Sequence, residues 1–201
     1  INYVQFLIGD CYLRLKDYDT AREYFKLALE KEHEEMALSY EAMCELEYIA
    51  GNYEACVEAC DRLLAIEKRS LVAYNNKAKA CFELDYIKEA MDASFKAIEI
   101  YPYIAEPYEI QIKIHMKYKN IEMAKNVIQS YNETGIISQR MSLCSARIAL
   151  EEGKLEEALG YVEKVLGDNE DISDLSEEEQ PYIIRAYIYE EMNKPEEAIS
   201  A

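Results

Sequence analysis

The chain has no tryptophan, only two histidines, and few residues that interrupt helices, with 6 Gly and 4 Pro in 201 positions. Scarce breakers amid plentiful Ala, Glu, Lys and Leu exclude a loop-rich or many-stranded domain and favour helices joined by short turns. No apolar run approaches the ~20 residues that a membrane-spanning helix requires, so the membrane is not an expected partner. Basic charge is short as well: 22 Lys and Arg face 40 Asp and Glu, for a formal net charge of −18. Such an excess of acid repels nucleic acid and anionic lipid, so neither is expected to bind. No basic stretch leads into a short apolar one after Ile1, so no targeting peptide is visible. The start without Met, and the stop at Ala201 inside a helical pattern, are read as cuts in a longer protein.

Catalytic signatures are missing too. There is no glycine-rich phosphate loop, no GxSxG and no HExxH, while His33 and His115 stand apart from each other. No enzyme activity and no cofactor are therefore expected, and His115 is read as a half-buried packing residue. The six cysteines contain no CxxC pair. Cys56 and Cys60 lie four apart on one helical face, and Cys44 is expected opposite Cys56. Cys44 and Cys56 are read as small structural hydrophobes in the core, and the cysteines as reduced and without metal. With no secretory signal, a reducing cytoplasmic compartment is expected, and the NET triplet at 132–134 is read as a chance glycosylation match.

What is present is a repeat. Ala90, Ala124 and Ala158 stand 34 residues apart, Cys56 stands 34 before Ala90, and Ala21 and Ala198 play the same part near the two ends. Each closes a similar phrase: KDYDTA, GNYEAC, DYIKEA, NIEMA, GKLEEA and NKPEEA. Tyr12, Phe25, Leu29, Leu63 and Ile98 recur at three- and four-residue spacing, as amphipathic helices require. This pattern resembles the tetratricopeptide repeat, a 34-residue pair of antiparallel helices. The first unit supplies Gly9, Tyr12, Ala21, Phe25 and Ala28 at the family's marked stations, and the third supplies Tyr74, Ala78, Ala90, Ala97 and Pro102.

The resemblance implies an all-α, right-handed superhelical solenoid, 1–201 as a single domain, in units 2–36, 37–70, 71–104, 105–138, 139–178 and 179–201. About twelve helices are expected and no strands. Ala90 and Ala124 should be fully buried where helices cross, because only small side chains allow an axis separation of about 8–10 Å. The acidic run at 168–178 is expected as a longer loop between the fifth and sixth units.

In this family the concave surface comes from the first helix of each unit, at stations 2, 5, 6, 9, 12 and 13. Station 9 reads Asp10, Glu45, Lys79, Lys113, Arg147 and Tyr187, which puts three cations in successive units, with Arg140 nearby at station 2. Residues 71–138 are nearly neutral (−1) between flanks of −7 and −10. The expectation is a peptide groove formed by Asn75, Asn76, Lys79, Lys113, Arg140 and Arg147, with apolar contacts from Ile110, Leu143 and Tyr187. Its ligand would be an extended, acid-containing segment, of a partner protein or of a part of this protein beyond the sequence, lying across units three to five. The competing reading has each cation paired with an acid of the chain, such as Glu83 or Glu109. Some relatives grip the acidic tails of heat-shock chaperones with a clamp of Lys, Arg and Asn. At those stations, counted from unit three, this chain has Asn75, Lys79, Ile110, Arg140 and Cys144, and only Arg140 fits.

Two functional readings are carried forward. One is a protein-binding scaffold. The other is a regulatory or spacer segment of a larger enzyme whose catalytic domain lies elsewhere.

Overall fold

The computed structural model describes residues 2–30, 36–167 and 180–193. Eleven α-helices and no strand occur among the described residues. They are α1 (Asn2–Arg14), α2 (Tyr18–Ala28), α3 (Met36–Ile49), α4 (Tyr53–Ile66), α5 (Leu71–Glu83) and α6 (Ile87–Ile100). They continue with α7 (Glu106–Lys117), α8 (Ile121–Asn132), α9 (Gln139–Glu151), α10 (Leu155–Gly167) and α11 (Pro181–Glu191). The architecture is an all-α helical solenoid. The chain divides into two compact units, residues 1–110 and 111–201. The expected long loop at 168–178, His33, Ala198 and the second helix of the sixth repeat lie outside the described residues. No described helix is long and apolar enough to cross a membrane.

The repeat is written in the backbone of the turns. Lys16, Gly51, Asp85, Lys119, Gly153 and Asn193 all have positive φ, from 56° to 76°. The first five stand five residues ahead of Ala21, Cys56, Ala90, Ala124 and Ala158. At Lys16 the amide donates to the Leu13 carbonyl and the next amide, of Asp17, donates to that of Tyr12. The same pair of bonds recurs at Gly51, Asp85, Lys119 and Gly153. A left-handed residue with these two bonds satisfies carbonyls that a helix end would otherwise leave unpaired. The residue after it then accepts from the amide four positions on: Asp17 from Ala21, Asn52 from Cys56, Tyr86 from Ala90, Asn120 from Ala124, Lys154 from Ala158. One residue thus ends the first helix and begins the second, and Asp17 adds a side-chain cap on Thr20 N at 3.2 Å.

Small residues then let the paired helices approach. In the first unit α1 packs on α2, α3 on α4 and α5 on α6, and in the second α9 packs on α10. Gly9 on α1 faces α2 so closely that an added Cβ would lie 2.7 Å from the Phe25 ring and 3.3 Å from the Ala21 carbonyl oxygen. Ala21, Ala90, Ala124 and Ala158 are all fully buried, as expected for crossing points. Cys44 and Cys56 are fully buried too, and the Cys56 thiol donates to the Cys44 carbonyl at 3.2 Å. They occupy the places that Gly and Ala fill in other repeats. Between these points sit larger side chains. Phe25 and Leu46 close the core of the first repeat junction, with Phe6 and Tyr12 against them. Leu143, Val162, Val165, Ile184 and Ile188 form the core of the second unit.

Successive repeats are also tied by charge. Arg22 on α2 meets Glu47 on α3, with Nε–Oε1 at 2.6 Å and Nη2–Oε2 at 3.0 Å. Lys125 on α8 meets Glu152 on α9 from the same repeat station as Arg22. Asp61 on α4 pairs with Lys77 on α5, and Glu163 on α10 pairs with Arg185 on α11 at 3.4 Å. These last two pairs join equivalent stations of different repeats. Glu47 is 2% exposed and also accepts from Asn52 at 2.8 Å, so it is one buried carboxylate with three donors. Burying a charge is tolerable only with such full pairing.

Candidate protein-binding face

The first helices of the first unit lie side by side, since α3 packs against both α1 and α5. Their shared outer face carries the stations at which a ligand could touch several repeats at once. Tyr3, Leu38 and Val72 hold station 2 of the three repeats and are exposed by 47%, 42% and 38%. Leu7 on α1 and Ile49 on α3 are exposed as well. Three neighbouring helices therefore each present a large apolar side chain to solvent at the same repeat position. Sequence reasoning passed over this row because apolar residues at helical spacing read as core. The signal that could have found it was their shared station.

Polar groups frame the row. Asp10 on α1 is held by Arg14 at 2.8 Å. Glu45 is exposed on α3, and burial pushes the Glu41 carboxyl above its ordinary value, with the charge of Glu67 adding to the effect. Lys79 on α5 leans back onto α3, its ammonium 4.6 Å from the centre of the Tyr48 ring, a cation–π contact. Asn75, one turn before Lys79, has a buried Oδ1 that finds no hydrogen-bond donor among the described residues.

The expected groove residues separate into three groups. Asn76, Ile110 and Leu143 are buried at 7%, 4% and 4%, so they do not present a surface. Asn76 instead donates to the Val72 carbonyl at 3.1 Å, and Leu143 belongs to the core of the second unit. Lys79, Lys113, Arg140 and Arg147 are half-buried, and each already engages other groups of the chain. Tyr187 is open, 52% exposed on α11 beside Ile183, and the charge of Glu191 pushes its phenol upward. Ile110 and Leu143 are thus taken up in packing, and on the first helices of the first unit the exposed apolar side chains include Tyr3, Leu7, Leu38, Ile49 and Val72. His115 is half-buried, and desolvation lowers its pKa.

The remaining thiols fit a packing role. Hydrogen bonding to Cys60 and burial both push the Cys56 thiol well upward, and Cys81 is pushed up to about 11 by burial. A thiol held protonated is a poor nucleophile and a poor metal ligand.

Comparison with known proteins agrees with the turns and the packing. Tetratricopeptide-repeat family models match residues 3–34 and 71–103, which coincide with the first and third units read from the sequence. A solved tetratricopeptide repeat protein from Parabacteroides merdae is similar over 99% of this chain and 76% of its own, with a TM-score of 0.73 at 17% identity. A thermophilic tetratricopeptide-repeat protein of Thermus thermophilus is similar over 96% of this chain and all of its own, with a TM-score of 0.71 at 17% identity. At such identity these two likenesses speak for the fold. The Hsp70/Hsp90 co-chaperone CNS1 of Saccharomyces cerevisiae is 31% identical over 91 residues, which take in 43% of this chain. The match spans 23% of that relative's length. Six recurring turns, small residues at the crossings and family matches at two of the repeats together place the chain in the tetratricopeptide-repeat family.

Proposed function

We propose that the chain is a protein-interaction scaffold whose first helices hold a segment of a partner protein. The observation that carries this reading is the row of Tyr3, Leu38 and Val72, exposed at one station of three adjacent helices. A surface row of large apolar side chains in register is costly in water and gains when a partner covers it. Likeness to a co-chaperone, a protein that acts on other proteins, supports a protein partner. The chaperone-tail clamp does not support a particular one. Of its stations, Ile110 and Cys144 are buried and apolar or weakly polar, and only Arg140 has the required type.

Acidic residues in the ligand remain part of the proposal. Lys79 in the first unit, with Lys113, Arg140 and Arg147 in the second, offers positive charge on first helices of a chain whose net charge is −18. These cations have intramolecular partners, so a ligand's acids would exchange with existing contacts and add specificity more than affinity. The test is partner capture on the immobilised chain, with Leu38→Glu plus Val72→Glu as one variant and Lys79→Glu plus Lys113→Glu as the other. The first should lose most of the captured partner, and the second should flatten the salt dependence, both with an unchanged helical spectrum. Capture that neither variant alters would overturn the reading.

A further inference from the structure

A second opening lies away from the first-helix face, between α2, α3 and α4. It is a cleft of about 470 Å³, with Tyr40 and Met43 of α3 and Ala55 and Ala59 of α4 among its walls. The corresponding junction of α8, α9 and α10 leaves only about 200 Å³. Sequence explains the difference. Glu157 and Tyr161, both larger, stand at the stations that Ala55 and Ala59 hold on α4, and both line the narrower cleft. Each cleft is crossed by its own cross-repeat ion pair, Arg22–Glu47 in one and Lys125–Glu152 in the other. The first is thus an opened version of a feature the chain elsewhere keeps narrow.

We propose that this cleft docks a partner segment bearing a bulky aliphatic side chain flanked by acidic residues. A volume near 470 Å³ lies in the range of about 300–1,000 Å³ typical of ligand sites, and suits a large side chain with its neighbours. Met43 supplies an adaptable apolar wall, and Tyr40 a flat one. Charge selects the flanks. Arg22 is committed to Glu47 and Asp19, and the exposed Lys26 on α2 and Arg62 on α4 also line the cleft. Among the described residues Arg62 pairs with Glu58 at 3.7 Å, a pair exposed on both sides and therefore weak. The walls carry Arg22, Lys26 and Arg62 against Glu47 and Glu58, a positive balance in a strongly acidic chain. This site uses stations 4 and 7 of α3, not the stations of the first-helix face, so it stands independently of that face.

The experiment follows the Met43 methyl group by NMR in the full chain labelled with ¹³C-methyl methionine, the resonance assigned with Met43→Leu. Three blocked peptides are titrated: acetyl-Glu-Leu-Glu-amide, acetyl-Glu-Ala-Glu-amide and acetyl-Lys-Leu-Lys-amide. The first should move the Met43 signal saturably, and the other two should bind about tenfold more weakly or worse, a difference of about 1.4 kcal/mol. Ala55→Glu, at an exposed position, and Lys26→Glu should each weaken the first peptide about tenfold, whereas Leu38→Glu should leave it unchanged. Ala59→Tyr should abolish binding by filling the cleft, and Ala55→Glu stands in for it should that buried change unfold the repeat. No saturable shift, equal response to the lysine peptide, or indifference to Ala55→Glu would each overturn the proposal.

Discussion

Gly9 sets how closely α1 can approach α2. A methyl group there would press into the ring of Phe25, which is fully buried and cannot swing out of the way. Gly9→Ala should therefore lower stability by about 1–3 kcal/mol through overpacking, and Phe25→Leu in the same chain should recover part of it. Denaturant unfolding of the two single variants and the double variant measures this, and a neutral Gly9→Ala would show that the crossing is looser than described. The same scale settles the cysteines. Cys11 is exposed whereas Cys44, Cys56, Cys60, Cys81 and Cys144 are buried. Brief alkylation at mildly alkaline pH should mark Cys11 and spare the others, read by peptide mass mapping. Early labelling of Cys56 would contradict its placement at the helix crossing. Repeat station foretold the burial of Cys44 and Cys56, because Cys at a station that Gly or Ala fills in other repeats has little other physical reason to be there; the burial of Cys60, Cys81 and Cys144 came from the structure.

Among the elements, the three-residue turns inside each repeat are the most strongly specified features. Gly51 and Gly153 adopt positive φ without a steric penalty, whereas Lys16 and Lys119 hold φ of 61° and 56° with a side chain present. An L-residue in that region costs about 1–2 kcal/mol, partly offset by the greater chain entropy that glycine loses on folding. Lys16→Gly and Lys119→Gly should each stabilise by up to about 1 kcal/mol, and Gly51→Ala should cost a similar amount. Thermal melts of the three variants check it, and a loss on Lys16→Gly would deny the left-handed turn. Helix order and turn positions were legible in the sequence because each turn has its small or turn-forming residues at a fixed distance from the next marker. Depth on the first helices was less legible. Asn76, Ile110 and Leu143 sit at stations expected to face a ligand, yet neighbouring structure covers them. A station number gives direction around a helix axis, and burial depends also on what the adjacent repeat places there.

For the whole molecule, function rests on which helices meet a partner. The cations at station 9 were readable as letters, but the structure shows them already engaged, so charge alone does not define the site. The apolar row on α1, α3 and α5 could be read as a shared station, but its exposure is known only from the structure, since Tyr3, Leu38 and Val72 read individually as ordinary helix residues. The most direct measurement of the central claim is amide hydrogen exchange of the chain alone and with its captured partner. The account predicts new protection in α1, α3 and α5, centred on the turns that carry Tyr3, Leu38 and Val72, with α6 unchanged. Protection confined to second helices, with α1, α3 and α5 exchanging as in the free chain, would contradict it.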